Sequence, residues 1–227
     1  MSIWIKVARY SLERRANYLV LPWILPFCFT VGAVTAGRKP GHDASVYLFS
    51  FFVYFAALGM QSIGQSLPFG LMLGASRRSF YSGTALLGAA LALVSGLVLA
   101  ALQAIERATG GWGLSMRFLR VPYLLSGPWY ATWLTAAVGL FALFVYGMWF
   151  GILYSRWGLL GTLAFIAVQV LALVAVVVTV TFEHWHVWSA AGGSFAGLTA
   201  LGLTGVIAAL AVLLLAGGHA TIRRATV

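Results

Sequence analysis

Few side chains in this 227-residue chain could do chemistry, and fewer still sit where a reaction would need them. Arg77 and Arg78 stand side by side and carry the only charges between Asp43 and Glu106. Paired guanidinium groups bind phosphate, carboxylate or an acidic protein surface through planar forks of donors. Gln61 and Gln65 are four apart, hence on one face of a helix. With Gln169 they form a candidate lining for a polar pathway, or else they are interhelical hydrogen-bonding groups that hold a bundle together. Glu183, His184 and His186 lie close enough to consider a metal. Two histidines alone do not complete a zinc set, and Trp185 and Trp188 beside them suit an interfacial turn. No metal site and no catalytic residue is expected.

Other constellations are missing. The only lysines, Lys6 and Lys39, lie in no G-x-x-x-x-G-K-[ST] loop, so no Walker-type phosphate cradle is expected. There is no H-E-x-x-H and no G-x-S-x-G. Cys28 stands alone in an apolar run and can form neither an intrachain disulfide nor a cysteine metal cluster. Asp43, Glu106 and Glu183 are expected in loops and Glu13 in the leader, so no acid is expected within a span. That argues against ion-coupled transport, which keeps an ionisable group at membrane depth.

The elements that must position these residues follow from composition. The chain is 62% hydrophobic and 8% charged, against about 25% charged in a soluble domain. It has too little polar surface to coat a water-facing globule, so the bilayer is its expected solvent. The net charge of +10 is scattered between apolar runs, without a basic face interleaved with aromatics, so nucleic acid is not an expected partner.

The expected fold is an all-α membrane protein of six transmembrane helices with an N-terminal interfacial helix. In residues 1–17, Ile3, Trp4, Val7, Ala8 and Leu12 fall at helical spacing. Lys6, Arg9, Glu13 and Arg14 occupy other sectors, the pattern of an amphipathic helix lying in the interface. The run after it is too long for a signal-peptide core and is read as an uncleaved first span. Within a transmembrane domain over 18–217, spans are expected at about 18–36, 45–67, 84–105, 129–154, 159–182 and 194–217. A loop over 68–83 joins the second and third spans, 106–128 is the longest connection, and 218–227 is a tail. Tyr154-Ser155-Arg156-Trp157-Gly158 reads as a tight turn. Gly70/Gly74, Gly147/Gly151 and Gly193/Gly197 are G-x-x-x-G pairs that suit close helix packing without specifying a dimer face.

Six spans place both termini on one side, with the loops holding Arg77, Arg78 and Arg156. That side carries Lys6, Arg9, Arg14, Arg15, Arg77, Arg78, Arg156, Arg223 and Arg224 against Glu13, a net +8. The other carries Arg38, Lys39, Arg107, Arg117 and Arg120 against Asp43, Glu106 and Glu183, a net +2. By the positive-inside rule both termini are expected in the cytoplasm.

Around the arginines, Pro68 can break the second span, and Phe69, Leu71, Met72 and Leu73 then give apolar surface at the membrane boundary. Gly74 allows a turn and Ser76 can cap a new helix that the arginines begin. A short interfacial helix beside paired arginines is a docking surface for a soluble partner. Two topology anchors meeting lipid phosphate are the plainer reading of the same pair.

With its leader helix, six spans, no nucleotide motif and L-G-A-S-R-R-S-F-Y-S-G between spans two and three, the chain resembles permease subunits of bacterial ABC exporters of the type V fold. The likeness covers the layout of the whole chain, and its specific part is residues 67–81. It implies a coupling segment at Phe69, Leu71, Met72, Leu73 and Gly74, with Ser76, Arg77 and Arg78 joining it to span three. It implies a separate cytoplasmic ATP-binding subunit holding ATP and magnesium, a second permease copy or a homologous permease, and an inner-membrane location. A hydrophobic or amphiphilic cargo (drug, lipid or peptide) would be exported. The 106–128 loop is long for the family, and 183–193 is short for its re-entrant region. The alternative is a stand-alone channel or integral-membrane scaffold without ATPase coupling.

Overall fold

A computed structural model of the chain describes residues 24, 46–64, 76–110, 128–182 and 200–224. Of these, 97% are helical and none is in a strand. Four helices are described in full: α1, Val46–Gly64; α2, Arg77–Ala108; α3, Trp129–Phe182; and α4, Ala200–Arg224. The leader at 1–17, all of the first expected span except Ile24, and residues 68–75 lie outside the described residues.

Helices α2, α3 and α4 are long and apolar enough to cross a membrane. Their outward surfaces also suit hydrocarbon. Leu160 is 81% exposed, Leu213 72% and Leu171 67%. A water-facing protein leaves single leucines out but not continuous faces of them. Lipid solvates such faces without cost.

Helix α3 is two rods. At Gly158 the backbone takes φ 63° and ψ −154°, outside helical geometry. A straight helix would hold Tyr146 and Gln169 about 35 Å apart at its ordinary rise of about 1.5 Å per residue. Instead the Tyr146 hydroxyl donates to Gln169 Oε1, and the rings of Phe150 and Phe165 meet edge to face at 5.2 Å. Both pairs are centred on Gly158, so the chain folds back there into a hairpin with arms 129–157 and 159–182. The positive φ is why the hinge is glycine, since a Cβ there would strain the backbone. The Thr162 hydroxyl donates to the Gly158 carbonyl at 3.1 Å and closes the first turn of the second arm.

The first arm of α3 is the axis of the bundle. Leu140, Phe144, Val145 and Met148 are fully buried on it. Against it α1 packs Phe51, Phe55, Leu58 and Ile63, and α2 packs Phe80, Leu87, Leu91 and Leu99. Glycines set the closeness. A Cβ on Gly59 would overlap the Phe144 carbonyl, and one on Gly147 would overlap the Ala56 carbonyl. A Cβ on Gly151 would lie 2.8 Å from Ile63 Cβ. The Gly147/Gly151 pair therefore seats α1 within its own chain, backbone against backbone.

These contacts also fix direction. Ala56 meets Gly147 and Ile63 meets Gly151, so α1 runs parallel to the first arm. Gly88 meets the Phe144 ring and Gly96 meets Ala137, so α2 is antiparallel. Thr135 bonds to Thr204 at 2.7 Å, and Trp149 Nε1 donates to the Leu214 carbonyl at 2.8 Å, so α4 is parallel again. The start of α2, the end of α1, the Gly158 turn and the end of α4 therefore lie at one end of the bundle.

Three expectations are corrected. The helix containing span three extends past 84–105 at both ends, to Arg77 and Ala108. Residues 77–83 are thus its first two turns, begun where Ser76 was expected to cap a helix, and not part of the 68–83 loop, whose remaining residues 68–75 lie outside the described residues. Glu106 is likewise helical and buried, at 5% exposure, not in the connecting loop. Charge ends an apolar span but does not end a helix. This one stops at Thr109, whose N–H bonds the Ile105 carbonyl at 2.9 Å, just before Gly110 at φ 65°. Helix α4 similarly runs beyond 217 to Arg224.

Candidate functional site

The candidate site is built at the first turn of α2. Ser76 holds an extended backbone and its Oγ accepts from the Ser79 N–H at 3.2 Å. The Ser76 carbonyl accepts from the Phe80 N–H at 2.9 Å. This is the N-cap that serine performs well, because its side chain satisfies an amide the helix leaves open. Arg77 and Arg78 follow as the first two helical residues. Cations are unfavourable near the positive end of a helix dipole, so the helix itself does not favour their position. An anionic partner would relieve that cost. Arg78 is exposed and Arg77 half-buried.

Immediately below, the side chains turn inward. Phe80 and Tyr81 are each 3% exposed and join the core. The Tyr81 hydroxyl donates to the Leu215 carbonyl of α4 at 3.1 Å, and its ring lies 6.0 Å from that of His219. A Cβ on Gly218 would overlap that hydroxyl, so the bare glycine admits it. Ser82 Oγ bonds the Arg78 carbonyl at 2.7 Å. The arginines are therefore the outer end of a 32-residue rod, about 48 Å long, locked at Tyr81, three residues beyond Arg78, to the last turns of α4.

Arg156 joins this end from the α3 hairpin. It is exposed, and its guanidinium lies 5.0 Å from the centre of the Trp157 ring. The only acid among the described residues, Glu106, lies at the opposite end of α2.

The other expected site residues are placed as follows. Phe69, Leu71, Met72, Leu73, Gly74 and Gln65 lie outside the described residues, as do His184 and His186. Gln61 is exposed on α1 and makes no side-chain hydrogen bond among the described residues. Gln169 is taken up by Tyr146 across the hairpin, the bundle-holding role weighed for it. Nothing described joins Gln61 to Gln169. Among the described residues no group of three His, Cys, Asp or Glu could hold a metal.

Reading the sequence alone passed over Phe80, Tyr81 and His219. A signal was available: two aromatics directly after the arginines, at the position where a helix begun at Arg77 first turns inward. The start of that helix is legible from Ser76; what the linear string lacks is the α4 surface that Tyr81 meets. Thr132 also went unnoticed; its buried Oγ1 has no hydrogen-bond partner among the described residues.

Comparison with protein-family models, with curated proteins and with solved structures gives no match.

Proposed function

We propose that this chain is the permease subunit of an ATP-driven exporter of the ABC type, coupled to a separate cytoplasmic ATPase through the start of α2. The observation that carries the reading is the placement of Arg77 and Arg78. They are the first residues of a long continuous helix whose next inward-facing residues, Phe80 and Tyr81, are fixed in the bundle. A force applied to the arginines has no loop to be absorbed in. It passes along α2 and, through the Tyr81–Leu215 bond, into α4.

In this reading the partner subunit binds ATP and magnesium and does the chemistry. Its acidic surface engages Arg77 and Arg78, with 69–74 as the apolar part of the contact. ATP-driven closure of two such subunits favours one arrangement of the paired permeases over another, because the partner binds the two arrangements unequally. A second copy of this chain, or a homologous permease, completes the pathway. The end bearing Arg77, Arg78 and Arg156 faces the cytoplasm. Walls of aliphatic residues suit a hydrophobic or amphiphilic cargo such as a drug, lipid or peptide.

The test is co-purification from membranes. A soluble ATPase is expected with the wild-type chain and not with the Arg77→Glu, Arg78→Glu double variant, at equal membrane content of the two. If the double variant keeps the ATPase, the docking assignment is wrong. A wild-type chain that brings down no ATPase favours the stand-alone channel or scaffold.

A further inference from the structure

We propose that the hairpin turn of α3, residues 154–160, is a binding site for the headgroup of an anionic phospholipid, with Arg156 as the phosphate-binding side chain. The inference is independent of the ATPase reading and needs only that the bundle sits in a bilayer.

The turn is almost without a loop. Gly158 alone inside α3 departs from helical geometry, so Arg156 belongs to the last turn of one apolar helix and Leu159 begins the next. Nothing at this turn reaches beyond the ends of the two helices. What Arg156 meets is set by that depth, where hydrocarbon gives way to headgroups. Its neighbours are amphipathic or apolar and open. Tyr154 is 48% exposed, Trp157 55%, Leu159 66% and Leu160 81%. Tyrosine and tryptophan rings lie at this level because one end is apolar and the other can hydrogen-bond. A soluble partner would have to cover leucines that already have lipid around them.

The guanidinium is held for the task. Its position over the Trp157 ring, 5.0 Å from the centroid, is a cation–π arrangement that restrains the flexible side chain. The planar fork of donors matches two phosphate oxygens. Ser155 does not compete, since its hydroxyl is donated to the Ile152 carbonyl at 2.9 Å. The sign of the lipid follows from the surroundings. Arg77 and Arg78 lie at the same end of the bundle, and the only described acid lies at the other. A zwitterionic headgroup brings a cation into that field, whereas phosphatidylglycerol brings a net negative charge.

The experiment is native mass spectrometry of the purified full-length chain in detergent with equimolar phosphatidylglycerol and phosphatidylcholine. Wild type is expected to retain phosphatidylglycerol at least about threefold over phosphatidylcholine. Arg156→Gln should bring the ratio close to one, while Arg156→Lys keeps part of it and Arg78→Gln keeps most. Equal retention by Arg156→Gln and wild type overturns the site. So does displacement of phosphatidylglycerol by an equal concentration of inorganic phosphate, which would mark a small-anion site. ATPase co-purification is read on the same variants. If Arg156→Gln loses the ATPase while its lipid ratio is unchanged, the turn docks protein and not lipid. Loss of the ratio with the ATPase retained supports the lipid site and leaves the coupling site untouched.

Discussion

The Tyr81 hydroxyl donates to the Leu215 carbonyl across 3.1 Å, joining the second turn of α2 to the last turns of α4. The two residues are 134 positions apart in the chain, and the bond lies between helices that otherwise meet mainly through α3. Tyr81→Phe keeps the ring in the core and removes only the donor. A loss of about 1 kcal/mol is expected, read as a small drop in the melting temperature of the purified protein. If coupling passes through this bond, Tyr81→Phe also uncouples ATP hydrolysis from transport while the ATPase stays bound. An unchanged melting temperature would remove this tie from the account.

Gly147 and Gly139 lie two helical turns apart on the same arm, yet the two should respond oppositely to the same substitution. Gly147→Ala drives a Cβ into the Ala56 carbonyl, which is backbone and cannot rotate away. A cost at or above the upper end of the usual 1–3 kcal/mol for overpacking is expected. Gly139→Ala meets nothing within 4 Å among the described residues and should be neutral or stabilising by up to about 1 kcal/mol. Thermal unfolding of both variants in one detergent checks this. Equal melting temperatures would contradict the close α1–α3 crossing.

Thr135 and Thr204 share a buried hydrogen bond of 2.7 Å between α3 and α4. Replacing one by valine leaves the other hydroxyl buried among fewer partners, at about 1–3 kcal/mol. Replacing both removes the polar pair together, and the double variant should be less unstable than the two single losses added. A double-mutant cycle by chemical denaturation measures the difference. Strict additivity would mean the two hydroxyls do not interact.

Ser76→Ala removes the cap at the start of α2, at about 1 kcal/mol. The loss is local, so hydrogen exchange should quicken at the amides of Ser79 and Phe80 and stay unchanged in the middle of α2. Ser76→Asp should restore protection, since aspartate caps as well as serine and adds charge favourable to the helix dipole. Exchange in the alanine variant as slow as in wild type would count against the cap.

The helix directions predict a labelling pattern. In a Cys28→Ser background, Ser155→Cys and Arg78→Cys should react with a membrane-impermeant thiol reagent from the same side of the membrane. Arg107→Cys, at the far end of α2, should react from the opposite side. With the orientation proposed above, only Arg107→Cys labels in intact cells. Reaction of Ser155→Cys and Arg107→Cys from one side would contradict the antiparallel packing of α2 against the first arm of α3.

What the amino-acid sequence determined by itself was the solvent and the punctuation. Long apolar runs with almost no charge have to be helices in lipid, because only a helix satisfies its own backbone there. The glycine in Tyr154–Gly158 marked a reversal, and Ser76 before two arginines marked a helix start; both features are local, and a linear reading captures them. Three-dimensional packing decided the rest. Nothing in the linear string separates Gly147, seated on a carbonyl of α1, from Gly139, whose Cβ would meet no other described residue within 4 Å. Nothing in it buries Glu106 or puts Tyr81 against Leu215. Those outcomes depend on which helix faces meet. In a chain this uniformly apolar, hydrophobicity marks almost every face as a candidate, so steric fit and a few hydrogen bonds make the choice.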